Sequence, residues 1–383
     1  MISFYFLGLT LILYSYAIYP LLLRVLVVRF GGYENPIRTL KGDELPHISI
    51  LVAAHNEESV IEQRVGNLLK LDYPDDRVEI LIACDGCSDD TEAILRAFDE
   101  PRVKLLTHTP NIGKAATLNR YVSQATGDVV VFSDANTSFE PDAARRLVNW
   151  LADPRIAAVS GSLGIRDAST GNNVDSAYWR YENLIKRLEG RLGAKLGANG
   201  AIYAIRREEY VPIPDNAIVD DFLIPLMIKM KTQGLIVYDS TAKASEVAPE
   251  QIDQEFQRRV RIGVGAYQSL GILSSLLHPK YGWTSFCFFS HKVLRWATPL
   301  LLCMMFFISI FGLNEHPVFR YVLAAEAALI VLAAAGLKVT NRGAVGKLLK
   351  LNSMFFAMNL ALLFGWFKYV TTEQTGTWKR TER

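Results

Sequence analysis

Two groups of oxygen-bearing side chains have the types and spacing of a site that binds a cation and accepts a proton. Asp134 and Asn136 follow the apolar run 129–133. Such a pair can bind Mg²⁺ or Mn²⁺, which share these ligands with substrate phosphates, although it is equally typical of a turn. Asp220 and Asp221 precede an apolar helix. Adjacent carboxylates raise each other's proton affinity and suit a general base, or they cap the helix.

Four further side chains suit a nucleotide diphosphate. Asp85 ends an apolar run before a glycine turn and is a candidate for a base or ribose contact. Lys114 opens a predicted helix, where an amine and the free N–H groups of the first turn suit a phosphate; a solvated lysine is the simpler interpretation of this motif alone. Arg258 and Arg261 lie three residues apart on one helical face. Their forked side chains suit diphosphate oxygens, and a basic interfacial helix would also bind anionic lipid.

Hydropathy predicts the elements that position these side chains. Short apolar runs alternate with amphipathic stretches between residues 47 and 246. The predicted strands are His47–His55, Val78–Asp85, Val103–His108 and Val129–Asp134, and the predicted helices are Glu57–Lys70, Asp90–Phe98 and Lys114–Gln124. This alternation predicts a mainly parallel sheet covered on both faces. Such sheets bind ligands at the carboxyl ends of their strands, where Asp85 and Asp134 stand.

Apolar runs on both sides of this region predict membrane helices. Residues 1–23 carry no charge and are long enough to span a bilayer, and basic residues follow them. They predict a retained anchor whose C-terminal flank is cytoplasmic. Three later runs, Trp296–Asn314, Tyr321–Leu337 and Leu351–Phe367, are also long and apolar. If all three cross, the basic tail ends outside, so one of them is alternatively re-entrant or interfacial.

Composition excludes several classes of protein. The 383 residues contain 41 Lys and Arg against 39 Asp and Glu, a balance that argues against nucleic-acid binding. Four cysteines form no disulfide framework, and Cys84-x-x-Cys87 lacks the second pair of a zinc site. Neither of the two familiar glycine-rich nucleotide motifs is present. The predicted domains are an anchor (1–30), an α/β domain (45–250), interfacial amphipathic helices (251–295), membrane helices (296–370) and a tail (371–383).

The order of the motifs resembles that of membrane-bound family 2 glycosyltransferases. This family includes relatives of cellulose, chitin and hyaluronan synthases and many bacterial exopolysaccharide enzymes. The resemblance covers residues 47–262 and rests on seven motifs in order. They are Ala-His-Asn-Glu-Glu, Asp-Gly-x-Ser-Asp-Asp, Asn-x-Gly-Lys, Ser-Asp-Ala-Asn, Gly-Ala-Asn-Gly-Ala, Asp-Asp and Arg-x-x-Arg-Ile.

The resemblance implies a GT-A fold and an inverting glycosyltransferase. It would move a sugar from a nucleotide sugar, commonly a UDP sugar, to a glycan or lipid-linked acceptor. The implied nucleotide-sugar contacts are His55, Glu57, Asp85, Lys114, Asp134, Arg258 and Arg261. The implied ligands of Mg²⁺ or Mn²⁺ are Asp134 and Asn136, and the implied base is Asp221, with Asp220 where the family often has glutamate. The implied acceptor loop is Gly197, Ala198, Asn199 and Gly200.

This sequence departs from the family pattern at three positions. Asn136 is neutral where a second aspartate is usual, so the metal site has one charge fewer. Arg258 and Ile262 replace the glutamine and tryptophan of the Gln-x-x-Arg-Trp motif of processive enzymes, which puts polymer synthesis in doubt. The tail 377–383 resembles C-terminal sequences of this family that reach the active site, which favours a cytoplasmic tail.

The resemblance also implies a location and partners. The protein is expected in a bacterial inner membrane, with its catalytic domain in the cytoplasm, among membrane lipids and with export or assembly subunits as partners. Two rival functions are a membrane nucleotidyltransferase and a catalytically silent nucleotide-sugar-binding subunit. The first would need a basic glycine-rich loop after the first strand, where the acidic stretch 54–58 stands.

Overall fold

The computed structural model describes residues 1–166, 177–247, 252–339 and 343–377. The chain divides into two compact units. The sheet unit comprises Leu23–Gln251, Ile272–Phe288 and Gln374–Arg383. The helical unit comprises Met1–Leu22, Ile252–Gly271 and Phe289–Glu373.

The strands and helices have the following bounds. The strands are β1 (Ile48–Ala54), β2 (Val78–Asp85), β3 (Val103–His108), β4 (Val129–Asp134), β5 (Ser138–Phe139), β6 (Ile156–Arg166), β7 (Tyr203–Arg206) and β8 (Leu235–Val247). The helices up to residue 232 are α1 (Ile2–Leu13), α2 (Tyr19–Phe30), α3 (Ile61–Leu68), α4 (Thr91–Arg96), α5 (Lys114–Val122), α6 (Ala143–Leu151), α7 (Ala177–Arg191) and α8 (Asp220–Thr232). The later helices are α9 (Ile252–Ile272), α10 (Trp283–Cys287), α11 (Leu294–Phe311), α12 (Val318–Gly336) and α13 (Ala344–Thr371).

The strands form one mixed sheet in the order β3-β2-β1-β4-β7-β6-β8-β5. The four predicted strands are confirmed, and they make the parallel half of the sheet, β3-β2-β1-β4. In the other half, β7 is antiparallel to both β4 and β6, while β6 and β8 are parallel. The predicted mainly parallel α/β architecture is confirmed.

Continuous apolar runs form the middle of the sheet because helices cover it on both faces. Every residue of β1 and of β2 is buried. Ile61, Val65 and Leu68 on one face of α3 belong to the core that these strands build. The register aligns Ala53 of β1 with Asp134 and pairs Asp85 with His108. The parallel strands therefore bring Asp85 and Asp134 to the same edge of the sheet.

Glu79 links three strands near the start of β2. Its carboxylate accepts hydrogen bonds from the Ser49 hydroxyl of β1, from Lys104 Nζ of β3 at 2.7 Å and from the Thr126 N–H at 2.6 Å. Burial acts to raise the pKa of Glu79, but these hydrogen bonds outweigh burial and lower the pKa to about 2. The ionised carboxylate is therefore the form that the fold stabilises.

We expect Glu79→Gln to lower the free energy of unfolding by about 2 kcal/mol at pH 7.5. The folded-state pKa of Glu79 lies below the unfolded value of 4.5, so its contribution is present above pH 4.5 and is lost as the pH falls towards 2. Thermal unfolding in detergent at pH 7.5 and pH 4 measures the effect, with the exposed Glu62→Gln as the control. If the difference in stability between Glu79→Gln and wild type is the same at both pH values, this role of the ionised carboxylate is contradicted.

Among the residues that the structure describes, four helical segments are long and apolar enough to cross a membrane. They are Ile2–Phe30, Trp283–Asn314, Val318–Gly336 and Ala344–Thr371. Each apolar run predicted from the sequence lies at least largely within one of them. The direction in which each helix crosses stays a prediction.

Small and polar side chains join the helices of the helical unit. Tyr5 of α1 donates a hydrogen bond to Glu326 of α12 at 3.0 Å. A Cβ at Gly365 of α13 would lie 2.8 Å from the carbonyl carbon of Gly263 of α9. Such backbone approach is typical of helices that pack in membranes. It fixes α9 against α13.

Candidate active site

Asp134 lies at the carboxyl end of β4, and Lys114 and Asp220 meet it there. Lys114 begins α5, and its Nζ lies 2.6 Å from Asp134 Oδ1 and 3.3 Å from Asp220 Oδ2. Burial acts to lower the pKa of Lys114, but the two carboxylates outweigh burial and hold the pKa above its usual value. One ammonium group therefore bridges two acids from separate parts of the chain.

Asp221 approaches the same place from the first turn of α8. Its Oδ2 accepts a hydrogen bond from the Gly200 N–H at 3.0 Å. A Cβ at Gly200 would lie 3.4 Å from Asp134 Oδ2 and 3.5 Å from Asp221 Oδ2, so Gly200 lies next to both carboxylates. We name Lys114, Asp134, Asp220 and Asp221 the acid cluster.

Burial separates the two adjacent aspartates chemically. Asp220 is 6% exposed, whereas Asp221 is only partly buried. Burial and the neighbouring carboxylates Asp221 and Asp134 raise the pKa of Asp220 to about 6, although Lys114 acts in the opposite direction. Asp221 is therefore the more accessible of the two for a substrate proton.

The loop Gly197–Gly200 is built to fit tightly against the start of α8. Gly197 has φ +71°, and a Cβ there would lie 2.7 Å from the ring of Phe222. The Ala198 N–H donates to the backbone oxygen of Asp221 at 2.8 Å. Asn199 accepts from Lys186 at 3.0 Å and donates to the carbonyl of Gly161 at 2.6 Å. The predicted acceptor loop thus lies beside the acid cluster, and its role in acceptor binding stays a prediction.

Asp85 holds the loop that leads into α5. Its carboxylate is fully buried and accepts from the N–H groups of Ile112 at 2.7 Å and Gly113 at 2.8 Å. His108 lies 3.0 Å from the same carboxylate. His55 lies nearby, with Nδ1 2.7 Å from the backbone oxygen of Asp85. Asp85 thus orders this loop, and its predicted contact with a nucleoside stays a prediction.

The other predicted residues occupy three places. Glu57 follows β1, where its N–H donates to Thr91 at 2.9 Å, and Asn136 lies in the turn after β4. Arg258 and Arg261 lie in α9 of the helical unit, where Arg258 pairs with Glu255 at 2.9 Å. Their predicted binding of a diphosphate stays untested.

The start of the C-terminal tail lies against the Gly113 loop within the sheet unit. The carbonyl of Gly376 packs so closely on Gly113, which has φ +94°, that a Cβ there would overlap it. The Asn216 side chain donates to the backbone oxygen of Gln374 at 3.3 Å. The predicted tail motif beyond Thr377 lies outside the described residues.

The residues at Asp134 fit a cation that is shared with a substrate. Within the described ranges, no group of three or more His, Cys, Asp or Glu side chains could hold a metal ion alone. The positively charged Lys114 ammonium already donates a hydrogen bond to Asp134 Oδ1. One carboxylate and one amide oxygen make a set that Mg²⁺ or Mn²⁺ completes with phosphate oxygens and water.

Arg64 was not predicted, although it lies directly behind the metal motif. The side chain is 2% exposed, and its guanidinium lies 4.4 Å from the centre of the Phe139 ring. It donates to Ser133 Oγ at 2.7 Å, and Ser133 Oγ in turn donates to the carbonyl of Ala201 at 2.8 Å. Burial lowers the pKa of Arg64 to about 9, while Asp134 and Glu246 act to raise it. Arg64 thus links the metal motif to the acceptor loop.

We expect Arg64→Met to lower the free energy of unfolding by about 3 kcal/mol, because it removes the hydrogen bonds to Ser133 and Asn67 and the contact of the guanidinium with the Phe139 ring. Arg64→Lys keeps the positive charge but lacks the forked guanidinium, so its free energy of unfolding should lie between those of Arg64→Met and wild type. Thermal unfolding in detergent measures both, with Arg96→Met as the control since 64% of that side chain is exposed. Wild-type stability of Arg64→Met would show that Arg64 does not support the site.

The fold and the acid cluster define a class of protein. A mainly parallel α/β sheet with acids at the carboxyl ends of its strands is the architecture of the GT-A nucleotide-diphospho-sugar transferases. A solved structure of this class is similar over nearly its whole length, with a TM-score of 0.72 and 20% identity over 96% of this chain and 99% of that one. It is a mannosyltransferase from Pyrobaculum calidifontis in complex with GDP-Man and Mn²⁺. The likeness confirms the fold.

Residues 49–211 match the family model described as glycosyl transferase family 2. The chain is 29% identical over 250 residues to poly-beta-1,6-N-acetyl-D-glucosamine synthase of Staphylococcus aureus, covering 63% of this chain and 60% of that protein. It is 38% identical over 132 residues to a probable glycosyltransferase, YdaM, of Bacillus subtilis, covering 33% and 31%. The chain thus spans less than two thirds of these curated relatives. The predicted family resemblance is confirmed.

Proposed function

We propose that this protein is an inverting glycosyltransferase that moves a sugar from a nucleoside diphosphate sugar to a glycan or lipid-linked acceptor at a membrane. The observation that carries this proposal is the convergence of the acid cluster beside Gly200. These side chains come from the consecutive elements α5 and β4 and from α8, which begins 86 residues after Asp134. A rival nucleotidyltransferase would need a basic loop after β1, where Glu57 and Glu58 lie.

Asp221 is the general base of the proposed reaction. An acceptor hydroxyl is a poor nucleophile at neutral pH, and Asp221 removes its proton as the oxygen attacks the anomeric carbon. The attack comes from the face opposite the diphosphate, so the configuration at that carbon inverts. The Gly200 N–H orients the carboxylate through its 3.0 Å hydrogen bond.

Positive charge near the diphosphate stabilises the leaving group. Asp134 and Asn136 would hold Mg²⁺ or Mn²⁺, which supplies Lewis-acid stabilisation of the departing nucleoside diphosphate when it is bound. Lys114 lies within reach of the same place and donates to a phosphate oxygen. Each such donor typically contributes about 3 kcal/mol to transition-state stabilisation. Arg258 and Arg261 are proposed to supply further donors.

The nucleoside is proposed to lie on the loops that Asp85 orders. Asp85 fixes the N–H groups of Ile112 and Gly113, and His55 lies against its backbone oxygen. Together with Glu57, these residues would flank the base and the ribose. UDP sugars are the proposed donors.

The proposed setting is a bacterial cell membrane, with the catalytic domain in the cytoplasm. In the described part of the chain, four helical segments are long and apolar enough to span such a membrane. The proposed domains are the anchor 1–30, the transferase domain 45–250, the interfacial helices 251–295, the membrane helices 296–370 and the tail 371–383. The Staphylococcus aureus relative, named as a poly-beta-1,6-N-acetyl-D-glucosamine synthase, supports a polysaccharide as the product. Export or assembly subunits are further proposed partners.

A panel of nucleotide sugars with Mg²⁺ or Mn²⁺ tests this proposal on the purified protein in detergent, with sizing of the products. Transfer from at least one donor to a glycan or lipid acceptor is the expected result. A ladder of products indicates a polymerase, and a single shifted lipid indicates one transfer. Tight binding of a donor with no turnover on any acceptor would identify a silent binding subunit instead.

A further inference from the structure

Lys114 has an unusual position for a residue assigned to the nucleotide. Its Nζ lies 2.6 Å from Asp134 Oδ1, the oxygen of the proposed metal ligand, and 3.3 Å from Asp220 Oδ2. Only 17% of the side chain is exposed. Gly113, with φ +94°, precedes the first residue of α5, and Asp85 fixes this loop, so the backbone of Lys114 is held firmly.

A divalent cation held by Asp134 would have to share the carboxylate, including Oδ1, with Lys114. The Lys114 ammonium lies 2.6 Å from the same oxygen. Two like charges that close repel strongly in a site with so little solvent. We propose that Lys114 and the divalent cation compete for Asp134, so that Lys114 delays metal binding until the donor diphosphate offers its ammonium another partner.

Asp220 is a second carboxylate with which the Lys114 ammonium can stay paired. Asp220 Oδ2 lies 3.3 Å from Nζ, and within the described part of the chain this oxygen is buried without a hydrogen-bond partner. Movement of the ammonium from Asp134 towards Asp220 and a phosphate would leave Asp134 for the cation. The backbone need not shift, because lysine carries its ammonium group on a flexible four-carbon stem.

The competition has a thermodynamic consequence. If the diphosphate draws Lys114 away from Asp134, donor binding strengthens metal binding, and the metal strengthens donor binding by the same factor. The free enzyme would then bind Mn²⁺ weakly, and the neutral Asn136 would weaken it further. Metal and donor would enter the site as a coupled pair.

The distinctive expectation is a gain of metal affinity in a variant that loses donor affinity. Lys114→Met removes the competing charge and keeps the aliphatic length. We expect its affinity for Mn²⁺ alone to rise about tenfold and the coupling between Mn²⁺ and UDP to fall by a similar factor. Lys114→Arg keeps the positive charge and should bind Mn²⁺ alone as weakly as wild type does. The exposed Lys70→Met is the matched control.

Electron paramagnetic resonance of free Mn²⁺ measures these affinities in the full-length detergent-solubilised proteins, with and without UDP. Because it takes Asp134 as a metal ligand, this inference rests on the proposed function, and Asp134→Ala separates the two. If Asp134→Ala abolishes Mn²⁺ binding but Lys114→Met binds Mn²⁺ as weakly as wild type or more weakly, the proposed competition is wrong. The assignment of Asp134 as a metal ligand then still stands. If Asp134→Ala binds Mn²⁺ as wild type does, or if no variant binds Mn²⁺ with UDP present, both the competition and the proposed metal site are wrong. Thermal unfolding of each variant confirms that it is folded.

Discussion

Replacing Asp221 with asparagine is expected to reduce turnover by about 100-fold or more, because asparagine cannot accept the proton of the acceptor hydroxyl. The amide keeps the size of the carboxylate and can still accept the Gly200 hydrogen bond. Donor affinity should therefore stay within about twofold, since the interaction lost is made in the transition state. Sugar transfer at saturating donor and acceptor measures turnover, and calorimetry measures donor affinity.

Asp76 is exposed and lies just before β2 begins, at the opposite end of that strand from Asp85. Asp76→Asn is the matched control for Asp221→Asn and should transfer sugar at the wild-type rate. Turnover of Asp221→Asn near that of wild type would show that another group accepts the proton. Asp220 would then be the first alternative, because burial raises its pKa to about 6 and it lies one residue away.

Replacing Asp134 with alanine is expected to abolish the metal dependence of donor binding. The cation would lose its one charged protein ligand, so the affinity for a nucleoside diphosphate in saturating Mn²⁺ should fall by about 10- to 100-fold. The change also removes a partner of Lys114, which remains paired with Asp220 at 3.3 Å. Isothermal titration with UDP, in Mn²⁺ and in EDTA, measures both affinities.

Asp128→Ala at the opposite end of β4 is the control for the Asp134 variant, because it removes an exposed carboxylate from the same region. It should keep the wild-type difference between Mn²⁺ and EDTA. If Asp134→Ala keeps that difference too, the cation is held elsewhere, and Asp134 serves only to pair with Lys114.

The parallel half of the sheet was predictable and the antiparallel half was not. β1, β2 and β4 are predominantly apolar because helices cover both of their faces, and such runs stand out in a sequence. β7 has only four residues and β5 only two, which is too short for a pattern. β8 mixes buried and exposed positions over 13 residues without strict alternation. Its place beside β6 depends on tertiary contacts.

Motif order predicted which residues would converge but not what each one touches. Asp134, Lys114, Asp220 and Asp221 come together as the motifs imply. The predicted contact of Asp85 with a base or ribose stays a prediction; what was not predicted is that its carboxylate accepts hydrogen bonds from the backbone of the next loop. Backbone N–H partners leave no mark in a sequence, so this role could not have been predicted.

Arg64 left one signal that sequence reasoning could have used. It lies on the same face of α3 as Ile61, Val65 and Leu68, where a charge is out of place on an amphipathic helix. A buried cation needs partners, which predicts a polar site behind the helix. Which partners it has, Ser133 and Asn67, follows only from the folded structure.

The most direct test of the whole account is the release of nucleoside diphosphate from a nucleotide sugar by wild type, Asp134→Ala and Asp221→Asn, assayed in parallel with acceptor present. We expect wild type to release nucleoside diphosphate only with Mg²⁺ or Mn²⁺, and the rate to drop by about two orders of magnitude in each variant. Equal rates in all three proteins would contradict it, because the acids gathered at the end of the sheet would then play no part in the chemistry.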